Sequence, residues 1–417
     1  MPYDLTEDEK WELLCVTEYD SCKRSQVVDV QVKAMQKNEE AIASGGTKRL
    51  LFSSGSQINK HFNLNQLISS GGFGQVYSGT NINTGKVVAI KAESIDAKIP
   101  LLRIEATCLE ALNHTIRQNY RKPPKEPIPN YYGYGETHNV RYMIMDLCGK
   151  NIRELKKSTK EDCFTIVTSL WLMKKMILAL KFLHRLGWIH RDVKPANFCV
   201  GMQLQGRQEL YLVDFGMARH FVARNGVIKT RRESSAFHGT VRYASLTTHR
   251  HQDMSRYDDL WSVYYITVEN MVGQLPWRYV NEKAEVEKMK ENIDLLRQKY
   301  GMEANPPASL VVLHRHLCRA SFYHEPEYHH IVQEIDLDLT QRNFNADSRL
   351  DWQPIQKSCQ RFSPNDFEAR NHRELLATCD HNTANHNHNR ANLNHSNAGI
   401  AENDDRSYYF MQSGDNF

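Results

Sequence analysis

Gly187-Trp188-Ile189-His190-Arg191-Asp192-Val193-Lys194-Pro195-Ala196-Asn197-Phe198 is the stretch from which the rest of this chain can be read. Between His190 and Asn197 it sets an imidazole, a guanidinium, a carboxylate, an amine and a carboxamide, directly after an apolar helical run. A carboxylate in such a loop can orient or accept the proton of an attacking hydroxyl, and an ammonium nearby can sit against a charged phosphoryl group. The carboxamide oxygen of Asn197 suits a hard cation such as magnesium. These roles require a phosphate-holding element before the loop and a second oxygen ligand after it.

Both are present. Upstream, Ile68-Ser69-Ser70-Gly71-Gly72-Phe73-Gly74-Gln75-Val76 reads as a glycine-rich turn between two strands. Its glycines let backbone amides approach phosphate oxygens, and Phe73 at the tip can shield them from water. The turn departs from G-x-G-x-x-G because Ser69 stands at the first glycine position. Val88-Ala89-Ile90-Lys91 then ends an apolar strand on an amine, which needs a carboxylate to hold it. Glu105 is the candidate on the following helix, with Glu110 as the alternative. Downstream, Val213-Asp214-Phe215-Gly216 supplies a second metal-binding carboxylate; alone, such a tripeptide is more often a turn.

The surrounding pattern divides the chain. Short β-type runs cover 62–68, 75–79, 87–92, 131–134 and 141–146, with a helix over 101–112. A short link follows at Leu147-Cys148-Gly149. Beyond it the pattern is helical: Thr165 to Leu186 carries Ile166, Leu170, Met173, Met176, Ile177, Leu180 and Leu183 on one face, and further helices are expected over 256–272, 282–300, 309–320 and 326–334. The expected architecture is α+β and two-lobed, with residues 59–147 as a small β-rich lobe, 150–342 as a larger helical lobe and a cleft at the link. Residues 1–58 read as an extension with one or two amphipathic helices, either a marginal one lying on the domain or partly disordered, or a specific docking or targeting element. From 343 to 417 apolar residues thin out, and the Asn/His-rich run from Asp380 to Ala398 reads as a disordered tail rather than a metal collector.

Composition narrows the function classes. The 417 residues are 41% apolar and 24% charged, and a formal charge of +4 is too small to imply nucleic acid as a partner. No run approaches the roughly 18 apolar residues of a membrane span, and the N-terminus lacks a leader pattern. The nine cysteines have no Cys-x-x-Cys spacing and read as reduced thiols. A monomeric catalytic domain in the cytoplasm, with access to the nucleus, is the expectation.

Glycine turn, Lys91, Glu105, the Asp192 to Asn197 loop and Asp214 occur in one order, and in that order the chain resembles the eukaryotic protein kinases from about Phe62 to about Arg342. The resemblance implies the two-lobed protein-kinase fold, ATP and Mg2+ as cofactors, and transfer of the γ-phosphate to protein substrates. Lys194, two positions after Asp192, matches the serine/threonine-specific pattern. Gly239-Thr-Val-Arg-Tyr-Ala-Ser, Asp258-Asp-Leu-Trp-Ser and Gly273-Gln-Leu-Pro-Trp-Arg resemble the casein kinase 1 group, and within it the tau-tubulin kinase branch. By that resemblance Met145 guards the adenine pocket, and backbone groups of Asp146, Leu147 and Cys148 bind the base. Val76 and Ala89 join the nucleotide-binding set with Ile68 to Gly74. Thr240 is placed beside Asp192, and Asp259 is given the catalytic-loop backbone, with a helix N-cap as the alternative. The group favours acidic or already phosphorylated substrates, which makes Arg242 a candidate anion contact, supported by a basic activation segment at Lys229, Arg231 and Arg232. A kinase-like scaffold without catalysis is the competing class.

Overall fold

The computed structural model describes residues 50–353, apart from 54, 72–73, 98–99, 121–125, 138, 203–208, 224, 293–305 and 346–347. The helices expected near the N-terminus, the Asn/His-rich tail, and Gly72 and Phe73 of the glycine turn lie outside the described residues.

The first lobe is a six-stranded sheet in the order β1-β2-β3-β4-β6-β5, built from β1 (Gln57–Ile58), β2 (Phe62–Gly71), β3 (Gly74–Asn81), β4 (Val87–Ser94), β5 (Tyr131–Glu136) and β6 (Val140–Asp146). All its pairings are antiparallel. Between β4 and β5 runs α1 (Leu101–Asn119), which continues well past the Leu112 expected from sequence.

Residues directly opposite across an antiparallel pair share a face. Val76 pairs with Lys91 and Lys91 with Met143, while Ala89 pairs with Met145, so these five side chains line one face of the sheet. The alternate residues Tyr77, Ile90, Tyr142 and Ile144 point the other way into a small apolar core. Leu51, Phe52 and Ile58 help cover that second face. The sheet lobe therefore begins before the boundary at residue 58/59 read from sequence, because its outer face needs that apolar cover.

The second lobe contains α2 (Ile152–Lys157), α3 (Ile166–Arg185), the short strands β7 (Trp188–Ile189), β8 (Phe198–Val200), β9 (Leu210–Leu212) and β10 (Arg219–His220), then α4 (Leu246–His249), α5 (Arg256–Val272), α6 (Lys283–Glu291), α7 (Ala308–Cys318) and α8 (Tyr328–Gln341). Thr165 caps α3 by accepting from Thr168 N, and Leu170, Met173, Met176, Ile177, Leu180 and Leu183 are fully buried as their spacing demands. The chain remains packed beyond Arg342. Leu350 is buried, Trp352 stacks edge-on against Phe164 and Trp171, and Asp351 accepts from Thr165 N and Oγ1. The helical lobe thus extends to Gln353, past the boundary expected at 342. No helix among the described residues is long and apolar enough to cross a membrane.

Candidate active site

The loop from His190 to Asn197 is held from beneath. Asp259, in the first turn of α5, accepts from His190 N at 2.8 Å and Arg191 N at 2.9 Å. It does not cap the helix; Ser255 and Asp258 form the capping box. His184 on α3 also meets Asp259, through Nε2 at 2.9 Å, and its Nδ1 meets the Tyr328 hydroxyl. Burial lowers the His184 pKa, and although burial opposes ionisation of Asp259, its bonds to His184 and the loop hold that carboxyl below its ordinary value. A neutral imidazole beside a carboxylate must donate from Nε2, so Nδ1 accepts from Tyr328.

Above this support, Asp192 Oδ1 accepts from Thr240 Oγ1 at 2.8 Å and Oδ2 from Lys194 Nζ at 2.6 Å. Asn197 turns its Nδ2 onto the Asp192 carbonyl at 2.9 Å, so its side-chain oxygen is the atom that could hold a cation. Gly239 makes the approach of Thr240 feasible: its φ is +94°, and a Cβ there would lie 2.5 Å from the Arg191 carbonyl.

Lys91 reaches the same cavity from the sheet. Its Nζ lies 2.5 Å from Glu105 Oε2 and 3.2 Å from Asp214 Oδ1, while Glu110 is exposed on the far side of α1. Burial works against the Lys91 ammonium, but attraction to Asp214 and Glu105 outweighs it and raises the pKa. Burial likewise pushes Glu105 up, with Lys91 opposing, whereas Asp214 is held well below the carboxylate range by Lys91 and Lys194 despite its burial. Asp214 adopts φ +68°, an unusual left-handed conformation for a non-glycine residue, and Phe215 behind it is buried against His190. Lys91, Leu101, Leu102, Glu105, Asp192, Asp214, Gly216 and Met217 line one cavity.

Three carboxyl groups (Glu105, Asp192, Asp214) are set against two ammonium groups there. The oxygens of Asp214 and Asn197 make an all-oxygen donor set fitting a hard divalent cation. Among the described residues no cluster of His, Cys, Asp and Glu competes as a metal site.

The link between the lobes, the hinge, is anchored on each side. Asp146 is fixed by Asn130 N at 2.9 Å, by Tyr132 and by Lys86 at 2.9 Å. Gly149 N bonds to Val200 O at 2.7 Å, tying the next turn to the helical lobe. Met145 shares the Lys91 face of the sheet, and Cys148 is partly buried beside it. Ile68 to Gly71 form the exposed end of β2, with Ser69 opposite Val76 and Gly71 opposite Gly74.

A sequence model described as protein kinase domain matches residues 62–356. The chain belongs to the protein kinase family. A "Probable serine/threonine-protein kinase" of Dictyostelium discoideum is 33% identical over 305 residues, 72% of this chain and 58% of that protein. The kinase chain thus spans less than two thirds of that relative's length. A "Putative casein kinase I" of Caenorhabditis elegans is 30% identical over 274 residues, 66% of this chain and 78% of the relative.

Within this kinase, the activation segment departs from the sequence reading. Arg232 belongs to the run read as a basic activation segment, and its backbone and guanidinium bond to Asp253 at 2.7 to 3.1 Å, while Arg219 shares that buried carboxylate at 2.6 Å. Arg231 donates to Gln252 and lies over the Phe322 ring. Arg219 and Arg232 therefore tie the segment to Asp253, while Arg231 remains exposed. Arg191 donates from Nε to Met217 O at 2.6 Å. Arg242 is more accessible: it lies 3.7 Å from buried Glu269, which Arg278 also approaches at 3.5 Å, and both guanidinium-bearing side chains are about one third exposed.

Sequence reasoning missed His184, Tyr328, Asp253 and Glu269. Only His184 left a signal, as a polar residue continuing the buried face of α3 after Leu180 and Leu183.

Proposed function

We propose that the chain is an ATP- and magnesium-dependent serine/threonine protein kinase of casein kinase 1 type, acting on acidic or already phosphorylated protein segments. The carrying observation is the Asp192 carboxylate, held by Thr240 and Lys194 beside the Lys91, Glu105 and Asp214 cluster. Phosphoryl transfer depends on positioning and charge stabilisation more than on covalent help. Asp192 accepts the hydrogen bond of the incoming serine or threonine hydroxyl and orients it. Lys194, pulled to the same carboxylate, presents its ammonium to the transferring group. Lys91, braced by Glu105, holds the nucleotide phosphates. Asp214 and Asn197 would hold magnesium, which neutralises phosphate charge when bound.

The relatives' names support the serine/threonine and casein kinase 1 assignments, and the motifs from Gly239 and Gly273 support the tau-tubulin kinase branch. Arg242 and Arg278 share one buried carboxylate, so their combined charge exceeds what Glu269 neutralises. Exposed guanidinium groups with residual charge suit a phosphate or carboxylate on the substrate.

The test is a peptide library phosphorylated by the wild type and by an Arg242→Ala, Arg278→Ala double variant. Label is expected on serine and threonine with acidic or phosphorylated flanks, and the double variant is expected to lose that preference by about 10-fold or more. Equal use of acidic and basic peptides by the wild type would overturn the substrate class; label on tyrosine alone would overturn the acceptor.

A further inference from the structure

The segment after Thr240 has an unusual support. Val241, Arg242, Tyr243 and Ala244 present four consecutive backbone carbonyls, and every one receives a hydrogen bond from a side chain elsewhere in the helical lobe. Trp277 Nε1 donates to Arg242 O at 2.8 Å and Ser262 Oγ to Tyr243 O at 2.8 Å. The two outer carbonyls share one donor: Lys290 Nζ lies 2.7 Å from Val241 O and 2.6 Å from Ala244 O.

Lys290 is on α6, only 3% exposed, and its ammonium lies over the rings of Tyr265 at 5.0 Å and Trp277 at 5.2 Å. His249 Nε2 is a further neighbour at 3.3 Å. Among the described residues no carboxylate pairs with it. An unpaired ammonium is costly to bury, and burial does lower the Lys290 pKa. An apolar residue of similar length could fill the space among these rings, but it could not bridge the two carbonyls. The bridge fixes the backbone on both sides of Arg242 and directly after Thr240, the residue that touches Asp192. Nothing in it reaches Lys91, Asp214 or the hinge.

We propose that Lys290 is a positioning residue for the protein substrate, setting the backbone of the segment 241–244 against which the acceptor chain lies. It acts on the substrate side of the site and leaves nucleotide binding alone. This rests on the protein-kinase reading above.

The experiment measures steady-state kinetics of the full chain, wild type and Lys290→Met, varying dephosphorylated casein and ATP separately. The KM for casein is expected to rise about 10-fold while the KM for ATP stays within about 2-fold, since the lost interaction lies on one substrate's side. If both constants hold at wild-type values, the inference is wrong. If both rise together with a lowered melting temperature, Lys290 is a general stabiliser and the inference is equally overturned. Lys290→Gln keeps a donor nitrogen on a shorter side chain and serves where the methionine variant does not fold, with a smaller split in the same direction expected and its absence counting against the proposal. A wild type that phosphorylates neither dephosphorylated nor phosphorylated casein would overturn the kinase reading beneath it.

Discussion

An Asp214→Asn variant is expected to transfer phosphate about 10²–10³-fold more slowly than the wild type, the scale seen when one preorganised electrostatic group is removed from a reacting centre. Asp214 has two tasks that depend on its charge. It draws Lys91 from one side, together with Glu105, and in the proposed function it would serve with Asn197 as an oxygen ligand for a cation. Asparagine matches its shape but leaves Glu105 and Asp192 alone against Lys91 and Lys194, so the negative charge of Asp214 is removed from the cluster. Nucleotide affinity in the absence of metal is expected to hold or rise, because a repulsive carboxylate is gone, while the magnesium concentration giving half-maximal rate shifts upward. Rate measurements across a magnesium titration check both points. A variant within about 3-fold of the wild-type rate at every magnesium concentration would remove Asp214 from the account.

Asp259→Ala is expected to damage stability and catalysis together. The carboxylate is 1% exposed and accepts from His190 N, Arg191 N and His184 Nε2. Its loss strands three buried donors, each costing about 1–3 kcal/mol if left unsatisfied. A melting temperature lowered by several degrees is the expected reading, with a larger loss in transfer than in nucleotide affinity because the freed backbone is that of the loop carrying Asp192. The pH dependence has a definite sign. The unfolded chain protonates His184 below about pH 6.5 and Asp259 below about pH 3.9, whereas the folded chain resists both. Their stabilisation is fully present above those unfolded-chain values and lost as the pH falls below them through the lower values of the folded chain. Alanine at 259 is expected to flatten the lower part of this acid limb; an unchanged limb would show that the carboxylate is not the group responsible.

Much of this site can be read from local sequence because its residues come in short runs. Asp192, Lys194 and Asn197 lie on one loop, and Lys91 ends a strand whose alternation sets its face. The choice of Glu105 over Glu110 also follows from periodicity, since Glu105 shares its helical stripe with Leu102, Leu109 and Leu112, all buried. The helices α3 and α5 match their apolar periods within a residue at either end.

What periodicity cannot convey is the pairing of charges distant along the chain. Asp253 reads as a solvated residue between a glutamine and a methionine, yet Arg219 and Arg232 close on it from the activation segment. Lys290 sits among Lys288, Glu287 and Glu291 on a strongly charged helix, so nothing local separates it from its solvated neighbours. The lobe boundaries were misjudged for a related reason. Leu51 and Phe52 belong to one short apolar run with Leu50, and Leu350 and Trp352 stand singly among polar residues; each set is too small to show a period, and only the surfaces they cover explain them.

The central claim is that the assembled Asp192 centre transfers phosphate. Purified full chain should be incubated with γ-labelled ATP, magnesium and an acidic protein substrate, beside an Asp192→Asn variant shown to bind nucleotide equally well. The account predicts label on serine and threonine with the wild type and a rate lower by about 10²–10⁴-fold with the variant. Nucleotide binding by both proteins, with transfer by neither, would contradict it and make the chain a kinase-like scaffold.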